Sequence, residues 1–141
     1  FLKGCKKIMH NDSYLFIATS QANMITNAEF DTIYHEHISY FNTTSMKRLV
    51  ERAGLSLVDV FTNKMHGTSY IFVIKIQPEI NAVTSKINQE REFGLYKLST
   101  YTTWVDKITE KASGIIKYVV QKYILLSPYE ILKKRKFYLL F

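Results

Sequence analysis

The chain is poor in the residues that build disulfide frameworks, cofactor loops and membrane spans. A single cysteine, Cys5, stands among 141 residues, so no disulfide and no Cys₄ zinc site can form within the chain. A lone thiol fits a reducing compartment, and a cytoplasmic location is expected. The five glycines (Gly4, Gly54, Gly67, Gly94 and Gly114) are scattered and make no glycine-rich cofactor loop. No stretch approaches the roughly 20 continuous apolar residues of a membrane span. The first residues, Phe-Leu-Lys-Gly-Cys-Lys-Lys, have neither an initiator Met nor a signal-peptide pattern. They read as the middle of a helix, so the chain is expected to begin inside a larger protein. Acidic residues are also few: 12 Asp and Glu against 19 Lys and Arg give a net charge of +7. Nucleic-acid binding is one reading of a basic chain. However, part of the excess is local, in Lys133-Lys134-Arg135-Lys136, and no stacking motif or recognition-helix pattern accompanies it. A solvated tail is preferred, and neither a nucleic-acid nor a membrane partner is expected.

What is present describes a globular chain. Hydrophobic content is 47% and charged content 22%, enough for one domain with a modest core. Phe1, Leu2, Cys5, Ile8 and Met9 recur at helical spacing. A turn at Asn11-Asp12-Ser13 leads to Tyr14–Ala18, an apolar run read as a buried parallel strand. Thr43 and Thr44 are candidate N-caps for a helix whose face carries Met46, Leu49, Val50 and Ala53, and Gly54 suits its C-terminal cap. Leu55–Phe61 is strand-like, with Val58 and Val60 expected on one face. Thr62–Thr68 is read as a loop and Ser69–Ile76 as the most β-prone run, ended by Gln77-Pro78-Glu79. These two strands are expected to pair antiparallel. From Asn81 to Tyr123 the pattern turns helical. Leu98, Tyr101, Val105, Ile108, Ala112, Ile115 and Val119 would form a core-facing seam. Helix, turn and buried strand in succession is the rhythm of an α/β sheet, in which ligands collect beyond the C-terminal strand ends.

The stretch after the first strand carries the chemistry. Phe30–Phe41 reads Phe-Asp-Thr-Ile-Tyr-His-Glu-His-Ile-Ser-Tyr-Phe, with His35 and His37 flanking Glu36, and Tyr34 and Tyr40 close by. Imidazole exchanges its proton near neutral pH, a carboxylate can orient it, and a phenol can donate to an oxyanion. These are parts suited to taking a proton from a carbon beside a carbonyl. On spacing alone, a solvated polar turn is the commoner meaning of such a run. On an extended backbone His35 and His37 share one face and Glu36 the other, so all three reach one atom only if the backbone bends. A zinc site from His35, Glu36, His37 and His66 is the other chemistry available, but the spacing is not the His-Glu-x-x-His helix pattern.

Phe30-Asp31-Thr32-Ile33-Tyr34-His35-Glu36-His37, followed by Ser39-Tyr40-Phe41, resembles the signature of the S-adenosylmethionine-dependent sugar C-methyltransferases. A second feature follows as His66-Gly67-Thr68-Ser69, with Thr68 where the family usually has glycine. Leu49–Val60 resembles the family's helix, glycine and strand. Where the family often carries a glutamate and a Pro-Tyr pair, this chain has Thr19-Ser20-Gln21-Ala22-Asn23.

The resemblance implies an α/β fold: the C-terminal half of a Rossmann-like class I methyltransferase sheet, mixed, with its last strands antiparallel, followed by a long helical segment. It implies a catalytic part at 1–79, a helical segment at 80–126 leading to a C-terminal domain, and a basic, aromatic tail at 127–141. The tail lacks the family's Gly-Tyr-Gly-Ala-like loop and is expected to be truncated or frameshifted.

The implied reaction is methylation of a carbon of a nucleotide-linked ketosugar, on the way to a branched deoxysugar. By resemblance His37 is the base, assisted by Glu36, with Tyr34 donating to the enolate oxygen. His35, Tyr40, His66 and Ser69 would line the substrate. S-adenosyl-L-methionine is the implied cofactor. Its binding loop, and a zinc-binding N-terminal domain, lie upstream in the family and not in this chain, so weak or absent activity in isolation is expected. The alternative is a non-catalytic binding or assembly module that has lost its donor site.

Overall fold

The computed structural model describes residues 1–19, 23–29, 37–64 and 68–111. Within them lie α1 (Leu2–Ile8), β1 (Leu15–Thr19), α2 (Asn23–Asn27), α3 (Thr43–Arg52), β2 (Ser56–Asn63), β3 (Ser69–Lys75), α4 (Thr84–Glu92) and α5 (Leu98–Lys111). The fold is α/β.

The three strands are ordered β1-β3-β2, and β3 is antiparallel to both neighbours. β1 and β2 therefore run in the same direction on either side of it. Antiparallel pairing of β2 with β3 agrees with the sequence pattern. The reading of β1 as a buried parallel strand is corrected. Its hydrogen-bonded neighbour among the described residues is the antiparallel β3, and its residues alternate, with Phe16 59% exposed. A continuous apolar run looks two-sided in sequence, but here only Leu15 and Ile17 face the core.

The larger core lies on one face of the sheet. Tyr70, Phe72 and Ile74 of β3 are buried on it, with Leu57 and Val60 of β2. Met46 and Val50 of α3 close it, with Val83 and Ile87 from the start of α4 and Leu2 and Met9 from around α1. Here too the sequence reading is corrected. Leu57, not Val58, shares this face with Val60, because the β2–β3 register slips between Leu57 and Asp59. A β-bulge inserts one extra residue, so the two residues opposite Ile74 and Phe72 are three positions apart instead of two. β2 also extends to Asn63, into what reads in sequence as a loop.

A second core forms where α2 meets α5. Met24 and Ile25 pack with Leu95, Trp104 and Ile108, and Ala28, Tyr40, Tyr101 and Val105 border them. The helical stretch expected from Asn81 is two helices among the described residues, separated at Gly94, whose φ of 76° suits a left-handed cap. The seam is displaced as well: Leu98 is 64% exposed and Trp104 takes the buried position. Residues 112–141, which include the rest of that seam and the basic tail, lie outside the described residues.

The ends of α3 show how local chemistry sets the boundaries. Asn42, not Thr43 or Thr44, is the N-cap. Its Oδ1 accepts from Ser45 N–H at 2.8 Å, and its own N–H donates to Ser45 Oγ at 3.0 Å, a reciprocal capping box. At the other end Gly54, with φ of 71°, donates to the Glu51 carbonyl at 2.9 Å, and Leu55 donates to Val50 at 3.0 Å. This pair of bonds requires the left-handed residue between helix and strand.

Substituting Gly54→Ala forces a Cβ into that conformation and toward the Lys6 side chain. The expected cost is about 1–2 kcal/mol, read as a lower urea midpoint with an unchanged slope.

Candidate active site

β1 and β2 end at the same side of the sheet, and β3 begins there. Thr19 is paired with Tyr70, and Asn63 with Ser69. α2 starts at the same edge, where Asn23 is the first residue of its first turn. The Tyr70 hydroxyl donates to Asn23 Oδ1 at 2.8 Å, tying the first turn of α2 to the start of β3.

His37 is half-buried, and its ring meets that of Tyr40 edge-on, with centroids 6.4 Å apart and planes at 85°. Tyr40 in turn borders the α2–α5 core. His37 and Tyr40, each singled out in the sequence for a different role, are thus in contact. Ser69 stands apart from them in the chain, as the half-buried first residue of β3. Tyr34, His35, Glu36 and His66 lie outside the described residues, as do Asp31 and Thr32. Among the described residues no group of three His, Cys, Asp or Glu could hold a metal ion. Nor is any helix among them long and apolar enough to cross a membrane.

The most unusual group is one the sequence reading passed over. Glu90 is 1% exposed, in the last turn of α4. Its Oε1 accepts from the Thr43 backbone N–H at 2.9 Å and from Thr43 Oγ1 at 2.6 Å, and its Oε2 accepts from the same N–H at 3.1 Å. The Tyr96 hydroxyl donates to Oε2 at 2.5 Å and also bonds Thr44 Oγ1 at 2.8 Å. The carboxylate therefore sits at the N-terminus of α3, where free N–H groups and the helix dipole favour an anion. In its own helix it stands at the unfavourable, negative end. No cation among the described residues pairs with it. In sequence Asn-Gln-Glu-Arg-Glu looks like solvated surface. The one available signal is spacing: Val83, Ile87 and Glu90 are four and three residues apart, so Glu90 continues the apolar stripe of α4.

Three phenols feel this buried charge. Burial raises Tyr70 far above the ordinary phenol value, and the Glu90 charge adds to it. Tyr96 is raised by burial and by its bond to Glu90, against a smaller opposite effect of Thr44. Tyr101, whose hydroxyl donates to the Leu95 carbonyl at 2.8 Å, is pushed up from 10.0 to about 12 by burial first and Glu90 second.

No protein-family model matches the chain. A search among characterised proteins relates it to the methyltransferases. One relative is the C-methyltransferase NovU of Streptomyces niveus, 32% identical over 108 residues, a match covering 71% of this chain and 25% of that protein. The chain thus spans about a quarter of the length of the relative it matches.

A folded-state phenol value above the unfolded one stabilises the fold only while the phenol keeps its proton. The contribution of Tyr101 is therefore fully present below pH 10.0 and is lost as pH rises to about 12. Stability measured by urea unfolding should fall over that window together with the rise of tyrosinate absorbance. Tyr101→Phe should flatten the fall.

Proposed function

We propose that the chain is the catalytic part of a C-methyltransferase that removes a proton beside the ketone of a nucleotide-linked sugar and methylates that carbon. The observation that carries this reading is the 32% identity to a C-methyltransferase. The sugar substrate rests on the resemblance of Phe30–Phe41 and His66–Ser69 to the sugar-modifying members of that class. The antiparallel β3 between two mutually parallel strands is compatible with the final strands of a Rossmann-like class I sheet. In this reading 1–79 belongs to the catalytic domain, 80–126 leads towards a C-terminal domain, and 127–141 is a basic tail.

His37 is the general base. A neutral imidazole takes the proton from the carbon next to the ketone. Contact with the Tyr40 ring restricts the orientations open to the imidazole. Glu36 orients the imidazolium that results, and Tyr34 donates a hydrogen bond to the enolate oxygen. His35, Tyr40, His66 and Ser69 line the sugar or nucleotide. S-adenosyl-L-methionine is the methyl donor that the class implies. The described residues do not fit a cradle for it: their two positive-φ glycines, Gly54 and Gly94, terminate α3 and α4, and neither opens a helix after a strand.

Methyl transfer from labelled S-adenosylmethionine to a nucleotide-linked 4-ketohexose, measured with the full-length protein, tests the reading. His37→Ala should lower kcat by about 10²–10⁴-fold, the usual worth of a general base. Transfer that survives in this variant would move the base to Glu36 or His35. Absence of transfer across a panel of ketosugars in the unaltered protein would favour a binding module.

A further inference from the structure

We propose that Glu90 is a positioning residue that sets where His37 stands, by clamping the start of α3 and the bed of Tyr40 to one another. The proposal rests on His37 being the base, and it concerns a residue 53 positions away in the chain.

The residues between His37 and α3 are fixed by contacts to separate parts of the fold. Ile38 and Ser39 are exposed and offer little anchorage. Tyr40 borders the α2–α5 core, Phe41 packs against the sheet core, Asn42 caps α3, and Thr43 is held by Glu90. Glu90 joins the two ends of this arrangement. Its carboxylate takes the N–H and the hydroxyl of Thr43. Its backbone carbonyl accepts from Leu95 N–H at 3.0 Å, and Leu95 is fully buried in the cluster that Tyr40 borders. Tyr96 closes the frame by bonding both Glu90 and Thr44. A displacement of Thr43 relative to Leu95 thus alters the register between Tyr40 and its bed, and with it the His37 ring that meets Tyr40.

A carboxylate at the wrong end of its own helix, buried and without a cation among the described residues, is a costly way to fill a core. An apolar residue would continue the Val83–Ile87 stripe, but it would leave Thr43 unclamped.

The test compares Glu90→Gln with Val50→Ala, a core variant that lowers stability without touching the clamp. In the full chain, the imidazole C–H resonance of His37 is followed by NMR under conditions where each variant remains folded. Methyl transfer is measured in parallel in the full-length protein. Glu90→Gln is expected to move the His37 resonance and to lower kcat by about 10- to 100-fold, with KM changed little. Val50→Ala is expected to lower the melting temperature with the resonance and kcat in place.

If Glu90→Gln lowers the melting temperature while leaving the His37 resonance where it was, Glu90 is structural only and the proposal fails. Should that variant not fold, Tyr96→Phe and Thr43→Val, each of which deletes one hydroxyl of the clamp, decide by the same resonance. A shifted resonance in a protein that never transfers methyl upholds the clamp and removes the catalytic reading. Loss of transfer in His37→Ala, with kcat and resonance unchanged in Glu90→Gln, does the reverse.

Discussion

The structure depends on β3 lying between two strands that run the other way. Its residues from Tyr70 to Ile74 are committed on both sides by backbone pairing, so its alternation fixes which residues face the larger core. Tyr70, Phe72 and Ile74 are almost wholly buried in consequence. The helices then have one surface on which to dock, and α1, α3 and α4 share it. β3 is central among the described strands, and the extra residue of the bulge falls in β2, as a local slip at Leu57–Asp59.

The edge that carries the candidate site is assembled around this strand. β3 begins where β1 and β2 end, so Tyr70 reaches the first turn of α2 from the core side. The segment from His37 to Thr43 crosses between the two clusters, with Tyr40 on one and Phe41 on the other. Glu90 is the polar link between them. Its burial is tolerable because the N-terminus of α3 supplies the donors that water would have supplied. Burial is the main reason the phenols are raised, and Glu90 adds to it, since an anion near a buried hydroxyl opposes the formation of a second negative charge.

The relation to a C-methyltransferase and the α/β fold both rest on features that a linear reading can catch. Local chemistry was legible as well. Gly54 could be recognised as the C-terminal cap because positive φ has a strong residue preference, and the Met46–Val50 face because its spacing is helical. Cap choice at the other end of α3 was not. Asn42, Thr43 and Thr44 all can cap; Asn42 does so in the structure, while Thr43 is engaged by Glu90 from α4.

By itself the sequence determined the periodicities, the strand-prone run at Ser69–Ile76, the turn residues and the histidine-rich stretch with its acid/base potential. These are properties of neighbours within a few residues, where backbone sterics and side-chain spacing act without help. Only the tertiary structure decided that β1 is half-exposed beside an antiparallel partner and that Leu57, not Val58, shares the face of the larger core with Val60. It also decided that Trp104 is buried while Leu98 is not, and that a glutamate in a charged run is the most buried acid described. Each of these outcomes depends on residues tens of positions apart meeting at close range. Pairing register, burial and the field of a helix end are set by those meetings, and no local pattern carries them.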